Sequence, residues 1–110
     1  MSYSVKGTSI TLTRGDSFAA DIGIIQPDGE PYIPSEGDKI RFAMKRNVKD
    51  DDILILREIP IDTMRLVLTP EDTKGLEFGS YVYDIQLTKS TGEVDTFITK
   101  STLTLTEEVE

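Results

Sequence analysis

The chain has 110 residues, with 12 Lys and Arg against 20 Asp and Glu, a formal net charge of −8, and no His, Cys or Trp. The missing residue types exclude an imidazole base, a thiolate nucleophile, a disulfide and an ordinary zinc site. The acid excess argues against DNA, RNA or anionic membranes as partners, and the length predicts one domain over residues 1–110 with a core of modest size.

Met1 to Lys6 lacks the charged start and apolar middle of a signal peptide, so the expectation is a protein made in the cytoplasm and used without secretion by that route. Ile10 and Leu12 mark a short strand before Arg14-Gly15-Asp16. Phe18, Ala20, Ile22 and Ile24 then alternate with Ala19, Asp21 and Gly23 until the turn Gln26-Pro27-Asp28-Gly29. Pro31 and Pro34 flank Tyr32-Ile33, which confines that piece to an edge strand or a loop. Ile40, Phe42 and Met44 alternate with Lys39, Arg41 and Lys45 in the third strand. That strand carries the densest positive charge, with Arg46, and it reads as a solvated face.

Ile53-Leu54-Ile55-Leu56, the longest apolar run, reads as a fourth strand and falls far short of the ~20 residues of a membrane helix. Met64, Leu66 and Leu68 form a fifth strand. Thr69-Pro70-Glu71-Asp72 then supplies an N-cap hydroxyl, a proline at the first helical position and acids in the first turn, predicting one short helix near 70–75. Tyr81, Tyr83, Ile85 and Leu87 alternate through a sixth strand. The last strand changes parity between Ile98 and Leu103, which predicts a bulge near Thr99-Lys100-Ser101 and a strand that bends between sheets. The acidic end from Thr106 to Glu110 is expected to fray.

About seven strands separated by turns, with no crossover helix, predict an all-β, immunoglobulin-like antiparallel β-sandwich. In that scheme Gly79 opens a structural corner, Tyr81 is its tyrosine, Tyr83 stands where an antibody domain has its second cysteine, and Phe42 replaces the usual tryptophan.

No residue set reads as catalytic, cofactor-binding or metal-ligating, so an enzyme is not expected and no cofactor is implied. Asp50-Asp51-Asp52 lacks the alternate spacing, glycine and distal glutamate of a calcium loop. Asp16, Asp21, Asp28 and Asp38 would serve a cation only if the fold gathered them at one end. Arg14-Gly15-Asp16 matches a cell-adhesion tripeptide but sits where a turn between strands is required. The apolar run is different. Guarded by three aspartates, a strand apolar on both faces predicts an interface with another copy or with a partner, formed by Leu54 and Leu56, or by Ile53 and Ile55 if the register is opposite. The alternative is that Tyr32-Ile33 or Tyr3-Ser4-Val5 covers it within the monomer.

Several segments resemble small phage and prophage tail proteins akin to the N-terminal immunoglobulin-like domain of the phage upper baseplate protein. They are 12–18, 36–42, 68–73, 76–87 and 92–98, with Gly79-Ser80-Tyr81-Val82-Tyr83-Asp84-Ile85 the most specific. The resemblance implies a non-catalytic structural or adaptor module of a tail or baseplate, a virion component whose partners are other tail proteins or itself. The baseplate protein carries a helical trimeric stalk behind this domain, and this sequence stops at Glu110, so attachment of a receptor-binding head is not implied. A carbohydrate- or ligand-binding β-sandwich is the rival expectation. Only Tyr3, Tyr32, Phe78 and Phe97 are left outside the core pattern to serve it.

Overall fold

Two alternating segments build the centre of the structure. The computed structural model describes residues 3–6, 8–24 and 28–107, with the side chains of 3–6, 97 and 99 left aside. Its strands are β1 (Tyr3–Lys6), β2 (Ser9–Thr13), β3 (Phe18–Asp21), β4 (Lys39–Lys45), β5 (Ile55–Ile59), β6 (Arg65–Leu68), β7 (Gly79–Thr88) and β8 (Val94–Thr106), with one helix, α1 (Pro70–Lys74). A six-stranded sheet in the order β1-β2-β8-β7-β4-β5 packs against a two-stranded sheet of β3 and β6. The result is an all-β sandwich, and β3-β6 facing β5-β4-β7-β8 follows immunoglobulin connectivity.

The pairing of β4 with β7 runs unbroken from Lys39–Thr88 to Lys45–Val82. It turns Ile40, Phe42 and Met44 to the same side as Tyr83, Ile85 and Leu87, and all six are buried. Phe18, Leu66 and Leu68 come down on them from the small sheet. Phe42 and Tyr83 lie with ring centroids 5.1 Å apart, filling the centre that a tryptophan and a disulfide occupy in antibody domains.

The structure corrects the sequence reading in five places. β1 adds an eighth strand, hairpin-paired to β2. The β2–β8 pair is parallel, because β2 reaches its neighbour across the whole length of the domain and not through a hairpin. The fourth predicted strand begins two residues late: Ile53 and Leu54 form its approach, and pairing with β4 starts at Ile55 and runs to Ile59. Met64 precedes its strand at φ 53°, where its amide closes a turn onto the Pro60 carbonyl. The parity change in β8 is present as a bulge: Tyr83 faces Ser101 and Ile85 faces Ile98, so two β8 residues oppose Asp84, and Phe97 is extra before Thr96. β8 nonetheless stays within one sheet. The predicted turn at Gln26-Pro27-Asp28-Gly29 and the fraying end beyond Glu107 lie partly outside the described residues.

Short-range chemistry closes the two ends. At one end Asp72 serves two purposes, accepting the Thr69 amide at 2.7 Å at the start of α1 and Arg57 Nη2 at 2.5 Å from β5. Arg14-Gly15-Asp16 docks on the same helix: Arg14 Nη1 donates to the Leu76 carbonyl at 3.1 Å, its guanidinium covers the Phe78 ring, and the Gly15 amide donates to Thr73 Oγ1 at 2.9 Å. The tripeptide is a structural turn. Tyr81 is 3 % exposed and donates its hydroxyl to the Glu77 carbonyl at 2.7 Å, while Arg46 lies over its ring at 4.7 Å. Gly79 has φ +125°, a backbone that favours glycine, and a Cβ there would stand 3.1 Å from the Arg46 guanidinium, which would have to give way slightly.

At the other end Asp38 ties three segments. Its carboxylate accepts the Tyr32 hydroxyl at 2.6 Å and the amides of Ser35 and Ser90 at 3.0 and 2.9 Å. The Tyr32 bond first, then those amides, hold the Asp38 carboxyl below its usual range against the opposing effect of burial. The same bond, with some burial and the charges of Asp38 and Glu93, pushes the Tyr32 phenol above its own. Gly37 faces Ser90 so closely that an added Cβ would meet the serine Cβ at 2.9 Å, and its φ of +93° compounds the clash.

Two outcomes test these closures. Tyr81→Phe removes one hydrogen bond and is expected to cost about 1 kcal/mol in denaturant titration, whereas Tyr81→Ala costs about 3–5 kcal/mol; a Tyr81→Ala cost below about 0.5 kcal/mol, typical of surface changes, defeats the corner. The Asp38 contribution is full above the ordinary aspartate pKa of about 3.9 and disappears as pH falls through its lower folded value. The Tyr32 contribution is full below about pH 10 and disappears as pH rises through its higher folded value. Thermal melts of Asp38→Asn across pH are therefore expected to lie below wild type at pH 7 and to converge on it in acid.

Candidate functional site

The outer side of the six-stranded sheet is dictated by the same period that builds its inner side. On β4 it presents Lys39, Arg41, Ala43 and Lys45, and on β7 Val82, Asp84 and Gln86. The register sets Leu56 opposite Ala43 and Ala43 opposite Asp84, with Val82 opposite Lys45. Arg41 Nη1 and Asp84 Oδ1 close a 2.8 Å ion pair diagonally across the two strands. Lys45 Nζ donates to the Asp50 carbonyl at 2.7 Å, which pulls the 46–54 loop down beside the sheet. The Asn47 amide donates back to Asp50 Oδ2, and the Leu54 amide to the Met44 carbonyl at 2.8 Å.

That loop raises a wall, and the sheet becomes a floor. Between them lies a depression of about 300 Å³, floored by Ala43 and Val82, walled by Val48 and Ile53, and edged by Lys45 and Lys100. Pairing of Leu103 with Tyr81 and of Ser101 with Tyr83 turns those two inward, so alternation puts Lys100 on the outer face, and the bulge opposite Asp84 returns Ile98 to the inner side.

The four predicted interface residues separate. Ile55 is a core residue, 5 % exposed and on the same side of β5 as Ile59. Pairing with Met44 turns it inward, so the alternative that placed Ile53 and Ile55 together at an interface is corrected. Ile53, Leu54 and Leu56 are exposed at 48 %, 41 % and 61 %, and Val48 joins them at 54 %. The anticipated monomer cover is not on this face. Ile33 is exposed, and β1 is hydrogen-bonded at the opposite edge of the sheet from β5. Arg57 reaches from β5 to the Val67 carbonyl and Asp72, so the gap between the sheets at this edge is closed by an ion pair.

The acidic residues do not gather. Asp21 pairs with Arg65, Asp28 accepts the Glu30 amide, and Asp38 is occupied by its three donors. Among the described residues no group of three or more acids is placed to hold a metal ion. Of the aromatics left outside the core pattern, Tyr32 is half-buried against Asp38 and Phe78 lies beneath Arg14, while the side chains of Tyr3 and Phe97 lie outside the described residues. Burial pushes the Tyr83 phenol above its usual range, and its hydroxyl donates to the Thr8 carbonyl in the interior. No helix among the described residues is long and apolar enough to cross a membrane.

The sequence reading misses Val48 and Lys100. Val48 lies in a polar loop without periodicity, whereas Lys100 follows the alternation set by the inward Leu103 and Leu105, a signal the sequence carries. The alternation of Lys39, Arg41 and Lys45 was a further signal, since it put those side chains on one face. No protein-family model, curated protein or solved structure matches the chain.

The division of the apolar run is testable by charge insertion. Ile55→Glu is expected to cost about 4 kcal/mol or more, because it buries a carboxylate without a partner. Leu56→Glu, one residue on, is expected to stay within about 0.5 kcal/mol of wild type. Thermal or urea denaturation of the two variants checks the register, and equal costs would refute it.

Proposed function

We propose that the chain is a non-catalytic structural or adaptor module of a phage or prophage tail or baseplate, acting through protein–protein contact as a virion component. The observation that carries this reading is the group of exposed apolar side chains, Val48, Ile53, Leu54 and Leu56, collected beside one edge of the large sheet. A strand-edge apolar group of this kind is a usual signature of a contact surface. The tail setting draws on the sequence resemblance, whose most specific stretch, Gly79 to Ile85, lies on the strand that pairs with both β4 and β8.

A second reading, a carbohydrate- or ligand-binding sandwich, draws on the depression beside that group. The depression lies at the lower end of the ~300–1,000 Å³ usual for small-molecule sites. The apolar surface continues past it onto Leu56, which favours the larger partner.

Co-expression with the products of the genes beside its own tests the proposal. Wild type is expected to co-elute with one of them in size-exclusion chromatography, and a folded Ile53→Glu/Leu56→Glu variant to elute alone. The proposal fails if no neighbouring product binds, or if the variant binds as well as wild type.

A further inference from the structure

We infer that the depression on the outer face of the large sheet receives an acidic segment of a different protein, with an apolar side chain over Ala43 and Val82 and carboxylates against Lys45 and Lys100. This rests on the contact-module reading and names the chemistry of the partner.

The charge distribution is the first reason. In a chain of net charge −8, the lining of the depression is a basic exception: Arg41, Lys45 and Lys100 stand against Asp84, while Asp50, Asp51 and Asp52 lie in the loop beside the Val48–Ile53 wall. Arg41 is committed to Asp84, but Lys45 spends only one donor on the Asp50 carbonyl, and Lys100 is exposed with no ion pair among the described residues. Ammonium protons thus stand at the edge of an apolar floor. At physiological ionic strength fields decay over ~8 Å, so the charges that line the depression and those of the adjoining loop govern docking.

Shape is the second reason. The floor is small and apolar because Ala43 and Val82 are the short side chains of the outer face. The Val48–Ile53 wall rises on one side, and the apolar surface continues to Leu56 across the strand pair. An occupant with apolar groups repeated along an extended backbone matches that continuity, since alternate residues of a strand point the same way.

The third reason concerns a second copy. A two-fold dimer uses the same patch on both partners. Where the axis passes through the depression it would set Lys45 and Lys100 near their own counterparts over the same apolar floor, and like charges brought together there oppose the contact. An acidic foreign segment meets no such opposition.

The test uses the full chain, labelled with ¹⁵N, and three short synthetic peptides in which leucine alternates with glutamate, glutamine or lysine. The glutamate peptide is expected to shift the amides of Ala43, Lys45, Val82 and Lys100 saturably and to bind at least about tenfold more tightly than the glutamine peptide, a difference of about 1.4 kcal/mol. Lys45→Glu/Lys100→Glu, with an unchanged melting temperature, is expected to remove that preference. Raising the salt to about 0.5 M is expected to shrink it as well. Equal binding of the glutamate and glutamine peptides overturns the acidic partner while leaving a docking face and the contact-module reading intact. Preference for the lysine peptide overturns the electrostatic assignment outright. If no peptide shifts these amides, or if sedimentation shows the chain self-associating through them, the inference falls; the co-expression result then decides the contact-module reading independently.

Discussion

The register between β4 and β7 is the constraint on which the rest of the molecule depends. A pleated strand cannot choose its two faces separately. Once Phe42 faces Ile85 on the inside, Ala43 must face Asp84 on the outside. A slip of one residue would bury Lys39, Arg41 and Lys45 and expose Ile40, Phe42 and Met44. Burial of those apolar side chains therefore fixes the outer face at the same time, and the basic side chains of that face are held in place by a core they never touch.

The ends of the sandwich are held by polar closures that compensate for the missing disulfide. Asp72 joins the helix start to β5 through Arg57, and Tyr81 locks the corner onto the Glu77 carbonyl. Asp38 gathers Tyr32, Ser35 and Ser90 at the far end. Each is a short bond in a partly dry setting, where leaving a donor or acceptor unpaired is costly. The two glycines that matter follow from these closures, because Gly79 lies against the Arg46 guanidinium and Gly37 must admit Ser90. With the ends tied internally, Arg14, Gly15 and Asp38, which looked available for ligands, are already engaged.

The proposed contact function and the proposed acidic partner both concern the outer side of the large sheet. The two-stranded sheet covers the inner side of its six-stranded partner, and the outer side carries both the depression and the exposed apolar edge. The groups there are a small apolar floor, a branched apolar wall, and two ammonium groups with hydrogen-bonding capacity to spare.

The sequence by itself determined the alternating strands, the short helix at Pro70, the corner at Tyr81 and the parity break in the last strand. These are local consequences of a two-residue period, a capping pattern and a glycine, all readable within a few residues. It did not separate Ile55 from Ile53, Leu54 and Leu56, because a short run of branched and aliphatic residues has no internal phase. Only pairing with Met44 and Ala43 assigned one side to the core and the other to solvent. Nor did it place Lys100 and Val48 together. That meeting depends on the pairing of β7 with β8 and on a loop held by Lys45. The parallel β2–β8 pair belongs to the same class. Local patterning states that a strand exists, and only the closed tertiary structure decides which edge it finds.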